Sequence, residues 1–276
     1  MSTVTTASAS REHRITVRSL ASRKGRGEPF TMLTTYDFTF ARIFDEAGVD
    51  VLLVGDSLAN VVQGCDTTLP VTLDEMTYHT RMVCRGVRRA LVVADMPFGS
   101  FQVGPEDALR SAIQLIKEGG ANAVKLEGGV DVADSIRRIV SAKIPVMAHV
   151  GLTPQSVNEM GGYRVQGRGD EGRHRVIEDA LAVEAAGAFA VVLEGIPKEL
   201  GREITQRLSI PTIGIGAGVH CDAQVLVMHD LLGLNDWTPS FVKQYASLGQ
   251  QASKAARNYI DEVANRKFPD EEHSYT

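Results

Sequence analysis

Four carboxylates in this chain stand directly after short apolar runs. Asp56 follows VLLVG, Asp95 ends LVVAD, Glu127 ends AVKLE and Glu194 follows AVVL. An acid placed after a strand often caps the next helix, but four of them point to a shared site. Like charges brought together repel unless a cation sits among them. Every candidate ligand is a hard oxygen donor, which points to Mg²⁺ or Mn²⁺ rather than zinc or copper. Mg²⁺ keeps several waters and takes further ligands from its substrate, so a few carboxylates suit a metal that holds a small chelating molecule. Lys125 stands two residues before Glu127. On a strand that spacing puts both side chains on one face, where the ammonium can pair with a substrate carboxylate or serve only as counter-ion to the acids. The chemistry so far is that of a Mg²⁺-dependent enzyme acting on a small oxoacid through an enolate.

Three further features are less specific. His149, in PVMAHVG, suits either a base or a hydrogen-bond donor to a neighbouring ligand, and is kept outside the catalytic set. Gly214, Gly216 and Gly218 in IGIGAG could cradle phosphate with backbone N–H groups or simply permit a tight turn. The glycine- and arginine-rich segment 161–173, GGYRVQGRGDEGR, reads as a mobile lid over the site or as a solvated loop.

Those acids need elements that bring their strand ends together. Short apolar, β-branched runs recur at 31–36, 51–54, 91–95, 123–127, 145–149, 190–193, 212–215 and 224–228. Amphipathic stretches separate them: Phe40, Ile43, Phe44 and Ala47 closed by Gly48 form one, and Val176, Ile177, Ala180 and Leu181 closed by Gly187 another. Strands alternating with helices imply a parallel sheet covered by helices, and eight units close a (β/α)₈ TIM barrel. The rival is an open doubly wound sheet, but no G-x-G-x-x-G follows the first run. In a barrel the C-terminal strand ends form one rim, where active sites lie. The expected organisation is a flexible N-terminal tail over 1–13, a single barrel domain over 14–268 and a flexible tail over 269–276. A long extra helix over 240–264 carries Phe241, Tyr245, Leu248, Tyr259, Ile260 and Val263, a face that packs on the barrel or on another subunit.

Composition narrows the function classes. The net charge of −5 opposes binding to a phosphate backbone, so nucleic acid is not an expected partner. No apolar run approaches the ~20 residues needed to span a bilayer, so no membrane partner is expected. The first residues lack the apolar core of a secretory signal, which makes the cytoplasm the expected location. Cys65, Cys84 and Cys221 form no C-x-x-C pair and read as free thiols.

The strings VGDSLANVV, LPVTLDEM, ADMPFGSF, VKLEGG, MAHVGLTPQS, GGYRVQGRG, VVLEGIP and IGIGAG, in this order along residues 54–218, resemble those of the ketopantoate (3-methyl-2-oxobutanoate) hydroxymethyltransferases. The resemblance covers about residues 14–268. It implies a barrel of the phosphoenolpyruvate mutase and isocitrate lyase kind. The implied reaction, a step toward pantothenate and coenzyme A, moves a one-carbon unit from 5,10-methylenetetrahydrofolate to 3-methyl-2-oxobutanoate through a Mg²⁺-stabilised enolate, giving 2-dehydropantoate and tetrahydrofolate. Carried over motif by motif, Asp56, Asp95 and Glu127 are the implied Mg²⁺ ligands. Asp56, Ser57, Asp95 and Lys125 are the implied oxoacid site, and Glu194 is the implied proton acceptor. The resemblance also implies a homo-oligomer, a decamer of stacked rings. Two positions depart from the pattern: Gly195, where a larger residue is common, and Ala223, where glycine is expected. Neither removes a functional group. No short motif marks the folate site.

The alternative enzyme is a folate-independent, Mg²⁺-dependent 2-oxoacid lyase or mutase on the same barrel. A barrel that only binds an oxoacid is a further alternative, disfavoured because all four acids and Lys125 are present.

Overall fold

The computed structural model describes residues 14–276, so the tail expected over 1–13 lies outside the described residues. Eight strands, β1 (Phe30–Thr34), β2 (Val51–Val54), β3 (Leu91–Asp95), β4 (Ala123–Glu127), β5 (Val146–Gly151), β6 (Ala190–Glu194), β7 (Thr212–Ile215) and β8 (Ala223–Leu226), form a closed barrel. Each pairs in parallel with the next. The Phe30 N–H donates to the carbonyl of Asp222, just before β8, at 3.2 Å. The (β/α)₈ architecture expected from the sequence is the one observed, and four of the eight strands begin and end where the apolar runs do.

The helices in chain order are α1 (Val17–Arg26), α2 (Phe38–Glu46), α3 (Leu58–Val61), α4 (Leu73–Gly86), α5 (Pro105–Gln114), α6 (Ala133–Ser141), α7 (Val157–Met160), α8 (Gly169–Ala185), α9 (Lys198–Arg207), α10 (Met228–Leu232) and α11 (Leu248–Ala264). Local chemistry starts several of them. Thr72 and Glu75 form a reciprocal capping box that opens α4. The Asp37 carboxylate accepts from the Phe40 N–H at 2.9 Å and opens α2. Asp37 shows the ordinary fate of an acid just past a strand.

Alternation along the strands sets the core. Phe30, Met32, Leu53, Val93, Ala123, Met147, Val192 and Ile213 fill one buried cluster with Ile15 and Leu20. Fully burying side chains of this size contributes roughly 1.5–3 kcal/mol each. No helix among the described residues is long and apolar enough to cross a membrane, and the three cysteines are free.

The chain forms two compact units, one ending at Val225 and one running from Leu226 to Thr276. The second unit contains α10 and α11. Its long helix begins eight residues later than the expected start at 240, because the Tyr245 N–H donates to the Leu231 carbonyl of α10 at 2.9 Å instead of to a preceding helical turn. None of the residues of α11 is buried, Tyr259, Ile260 and Val263 included.

Candidate active site

Val93, Ala123, Met147 and Val192 point into the barrel, so residues two further along each strand point the same way at its C-terminal mouth. Those residues are Asp95, Lys125, His149 and Glu194, with Glu127 another two along β4. The strand register sets Asp95 beside Lys125, Glu127 beside His149, and Gly151 beside Glu194. Asp56 arrives differently, on the turn after β2. Its N–H donates to Oδ2 of Asp95 at 3.1 Å. A Cβ on Gly55 would come within 2.9 Å of Ser57 Oγ, so a side chain there would displace the Ser57 hydroxyl.

Asp56, Asp95, Lys125, Glu127 and His149 are all buried, each at most 5% exposed, while Glu194 is partly open. The Lys125 ammonium pairs with Oδ1 of Asp95. His149 lies between two acids, with Nδ1 3.5 Å from Glu127 Oε1 and Nε2 3.3 Å from Glu194 Oε2. None of the Glu127 Oε1, His149 Nδ1 and Nε2 atoms has a well-formed hydrogen bond, although all three are buried. The Ser57 hydroxyl lies 2.9 Å from the Tyr36 hydroxyl.

The charges explain the proton affinities. Burial, then the charges of Asp95 and Glu127, pushes the Asp56 carboxyl up to about 8. Burial also raises Asp95, against the pull of Lys125. For Glu127 burial works in the same direction but is outweighed by His149, Lys125 and the Gln155 N–H, which hold it below the usual carboxylate range. Burial and the Lys125 charge oppose protonation of His149, yet Glu127 and Glu194 raise it to about 9. Lys125 stays firmly charged: burial lowers its proton affinity, and the three surrounding acids more than restore it.

The structure therefore brings Asp56, Asp95, Lys125 and Glu127 into one contiguous cluster, with Glu194 joined to it through His149 and Ser57 beside Asp56. Among the described residues no three of His, Cys, Asp and Glu stand close enough to cage a metal by themselves. Asp95 faces Lys125, and Glu127 faces Gln155 and His149. Mg²⁺ needs no such cage, since it is usually held by one or two carboxylates with water and substrate oxygens. The hard donor set fits such an ion, and Glu127 Oε1, which faces only His149 at 3.5 Å and makes no well-formed hydrogen bond, leaves an oxygen for it.

Two residues were not singled out by the sequence reading. Gln155, in the turn Pro154–Ser156 after β5, is buried; its amide donates to Asp56 Oδ2 at 2.9 Å and its N–H to Glu127 Oε2 at 2.9 Å. Tyr36, just past β1, reaches Ser57. Their uncharged side chains lack the pattern that marks the acids, although both stand just beyond strand ends.

The glycine- and arginine-rich segment is only partly a loop. Residues 169–173 form the first turns of α8, where Asp170 and Glu171 suit the helix N-terminus. The Gln166 N–H donates to the Gly195 carbonyl at 2.8 Å, and Arg173 pairs with Glu203. Tyr163 of this segment is raised by burial and then by the charges of Asp56, Glu194 and Glu127, which sets it near the acids. Gly218 has φ +88°, and a Cβ there would stand 2.6 Å from the Lys198 Cβ, so close packing on α9 explains this glycine without a phosphate. Gly195 has φ +58°, with the Leu152 Cβ 3.2 Å from where its own Cβ would stand.

Comparison with known proteins identifies the family and the fold. The model of the ketopantoate hydroxymethyltransferase family matches residues 14–271. A 3-methyl-2-oxobutanoate hydroxymethyltransferase of Thermobifida fusca is 58% identical over 266 residues, covering 96% of this chain and 95% of the relative. One of Geobacter metallireducens is 56% identical over 262 residues, covering 95% and 98%. In fold alone, the chain is similar to a crystal structure of 2,3-dimethylmalate lyase, a member of the PEP mutase/isocitrate lyase superfamily. That structure has a TM-score of 0.59 at 20% identity, with 94% of this chain and 88% of that one covered. By sequence over nearly its whole length, the chain belongs to the ketopantoate hydroxymethyltransferase family.

Proposed function

We propose that this enzyme transfers a hydroxymethyl unit from 5,10-methylenetetrahydrofolate to 3-methyl-2-oxobutanoate, giving 2-dehydropantoate and tetrahydrofolate on the route to pantothenate. The observation that carries the reading is the cluster of Asp56, Asp95, Lys125 and Glu127 at one barrel mouth, reached by Glu194 through His149, in a chain more than half identical to curated hydroxymethyltransferases.

Asp56, Asp95 and Glu127 would hold Mg²⁺ together with water and substrate oxygens rather than cage it alone. When bound, the ion supplies Lewis acidity that stabilises negative charge developing on the oxygens of a 2-oxoacid. The chain's own groups then divide the remaining work. Lys125 and Ser57 bind and orient the oxoacid carboxylate, the lysine kept charged by its acidic neighbours. Glu194 takes the proton from C3, its side chain partly open where the other acids are buried. His149 touches both Glu127 and Glu194 and keeps their negative charges compatible at short range. Burial of the cluster excludes water, which strengthens each of these interactions. Holding both reactants in register supplies much of the remaining rate advantage. The exposed apolar residues of α11 support a homo-oligomer.

The test is 2-dehydropantoate formation from the two substrates, with added Mg²⁺ and with excess chelator. Product that requires the folate and disappears with chelator is the expected result. Folded, Mg²⁺-loaded protein that forms no product would refute the proposal in favour of a folate-independent lyase or mutase.

A further inference from the structure

Among the described residues, Gln155 hydrogen-bonds to both Asp56 and Glu127, and it comes from neither of their strands. Its Nε2 donates to Asp56 Oδ2 at 2.9 Å and to the Met96 carbonyl at 3.0 Å, while its N–H donates to Glu127 Oε2 at 2.9 Å. A relay fixes which way its amide points. The Gly99 N–H donates to Gln102 Oε1 at 2.7 Å, and Gln102 Nε2 donates to Gln155 Oε1 at 3.2 Å, so the Gln155 nitrogen is the end turned to Asp56. The turns after β2, β3 and β5 and the end of β4 are thereby tied together at a residue only 5% exposed.

Each of the two bonds to a carboxylate occupies one oxygen and leaves its twin. On Glu127 that twin, Oε1, is buried, faces His149 Nδ1 at 3.5 Å and has no well-formed hydrogen bond. Holding one carboxylate oxygen on the protein favours binding of a cation through the other, in monodentate fashion. Mg²⁺ demands a compact octahedron of single oxygens, whereas Ca²⁺ accepts six to eight ligands and readily takes both oxygens of a carboxylate. We infer that Gln155 is a positioning residue that holds Asp56 and Glu127 monodentate, and so selects a small six-coordinate cation over a larger one. This rests on the reading of Asp56, Asp95 and Glu127 as the Mg²⁺ site.

The experiment is calorimetric titration of the metal-free full chain with Mg²⁺ and, separately, with Ca²⁺. Gln155→Met keeps the volume of the side chain and removes the donor to Asp56. Gln102→Met removes the relay from an exposed position, where folding is not at stake. Loss of such a supporting bond weakens metal binding by about 10–100-fold. In Gln155→Met the Mg²⁺ affinity should fall by at least about tenfold, within that range. The Ca²⁺ affinity should fall by less than about threefold, because Ca²⁺ can use the freed Asp56 oxygen. Gln102→Met should shift the Ca²⁺:Mg²⁺ preference in the same direction by a smaller factor, and it decides the matter if Gln155→Met does not fold. Equal losses for both metals, the signature of a loosened structure, overturn the inference, as do unchanged affinities. Wild-type chain that binds neither metal overturns the Mg²⁺ reading itself.

Discussion

Replacing Lys125 by methionine removes the positive charge that pairs with Asp95 inside the barrel. Both side chains are nearly inaccessible, 5% and 2% exposed, so water cannot take the place of the lost ammonium. Breaking a buried pair by deleting one partner costs about 3–5 kcal/mol, because the surviving charge is left desolvated. For a chain of this size that lowers the melting temperature by on the order of 10 °C. Asp95 already binds its proton more tightly in the folded state than an ordinary carboxyl, because burial disfavours its charge, and without Lys125 that tendency grows. A carboxyl whose folded pKa lies above its unfolded one favours folding when protonated, so the variant should lose stability as pH rises and recover part of it toward pH 5. The assay is urea unfolding followed by circular dichroism at pH 5 and pH 8, without divalent cation, for Lys125→Met, Asp95→Asn and the double variant. The double variant removes both charges and should recover about 2–3 kcal/mol relative to the sum of the single losses. A single-variant loss below about 1 kcal/mol, within the range of exposed pairs, or a loss that grows on acidification, would refute the reasoning.

Other expectations follow from the same structure. Glu194→Gln should retain oxoacid and Mg²⁺ binding while slowing C3 hydrogen exchange by about 100-fold or more; exchange at the wild-type rate, read by deuterium incorporation, would assign the base elsewhere. Asp50 accepts from Arg23, Arg89 and both the N–H and the hydroxyl of Thr31 near the N-terminal ends of the strands, so Asp50→Ala strands four donors and should destabilise by about 2–3 kcal/mol. A urea midpoint indistinguishable from wild type would contradict that. Burial raises the Cys84 thiol to about 11. Only about 0.1% is thiolate at pH 8, so alkylation of a Cys65→Ser, Cys221→Ser variant should quicken about tenfold per pH unit up to pH 10. A plateau below pH 9 would show that the thiol is not held up.

The barrel was legible in the chain because its signal is local and repeated. A parallel strand buried on both faces must be an unbroken apolar run, so β2, β3, β4 and β7 begin and end where those runs do. The acids were legible for a related reason: a carboxylate placed directly after such a run interrupts a pattern that otherwise excludes charge. Strand alternation even put Lys125 and Glu127 on one face before any neighbour was known. Tertiary structure decided everything that depends on contacts between different strands. The pairing of Asp95 with Lys125 comes from the β3–β4 register, and the seat of His149 between Glu127 and Glu194 from the two registers that follow. No local pattern encodes register across a helix-long crossover. Gln155 and Tyr36 stayed hidden because a neutral polar residue past a strand is ordinary in isolation. Only its partners, 99 residues away for Gln155 and Asp56, distinguish it from any other loop side chain. The late start of α11 has the same origin, since the Tyr245 N–H finds its acceptor on α10. Sequence alone thus determined which residues are buried in strands and which acids stand at their ends, because those are matters of local hydrophobic pattern. The closing of the barrel decided which charges meet, because electrostatic partnership is a matter of distance in space.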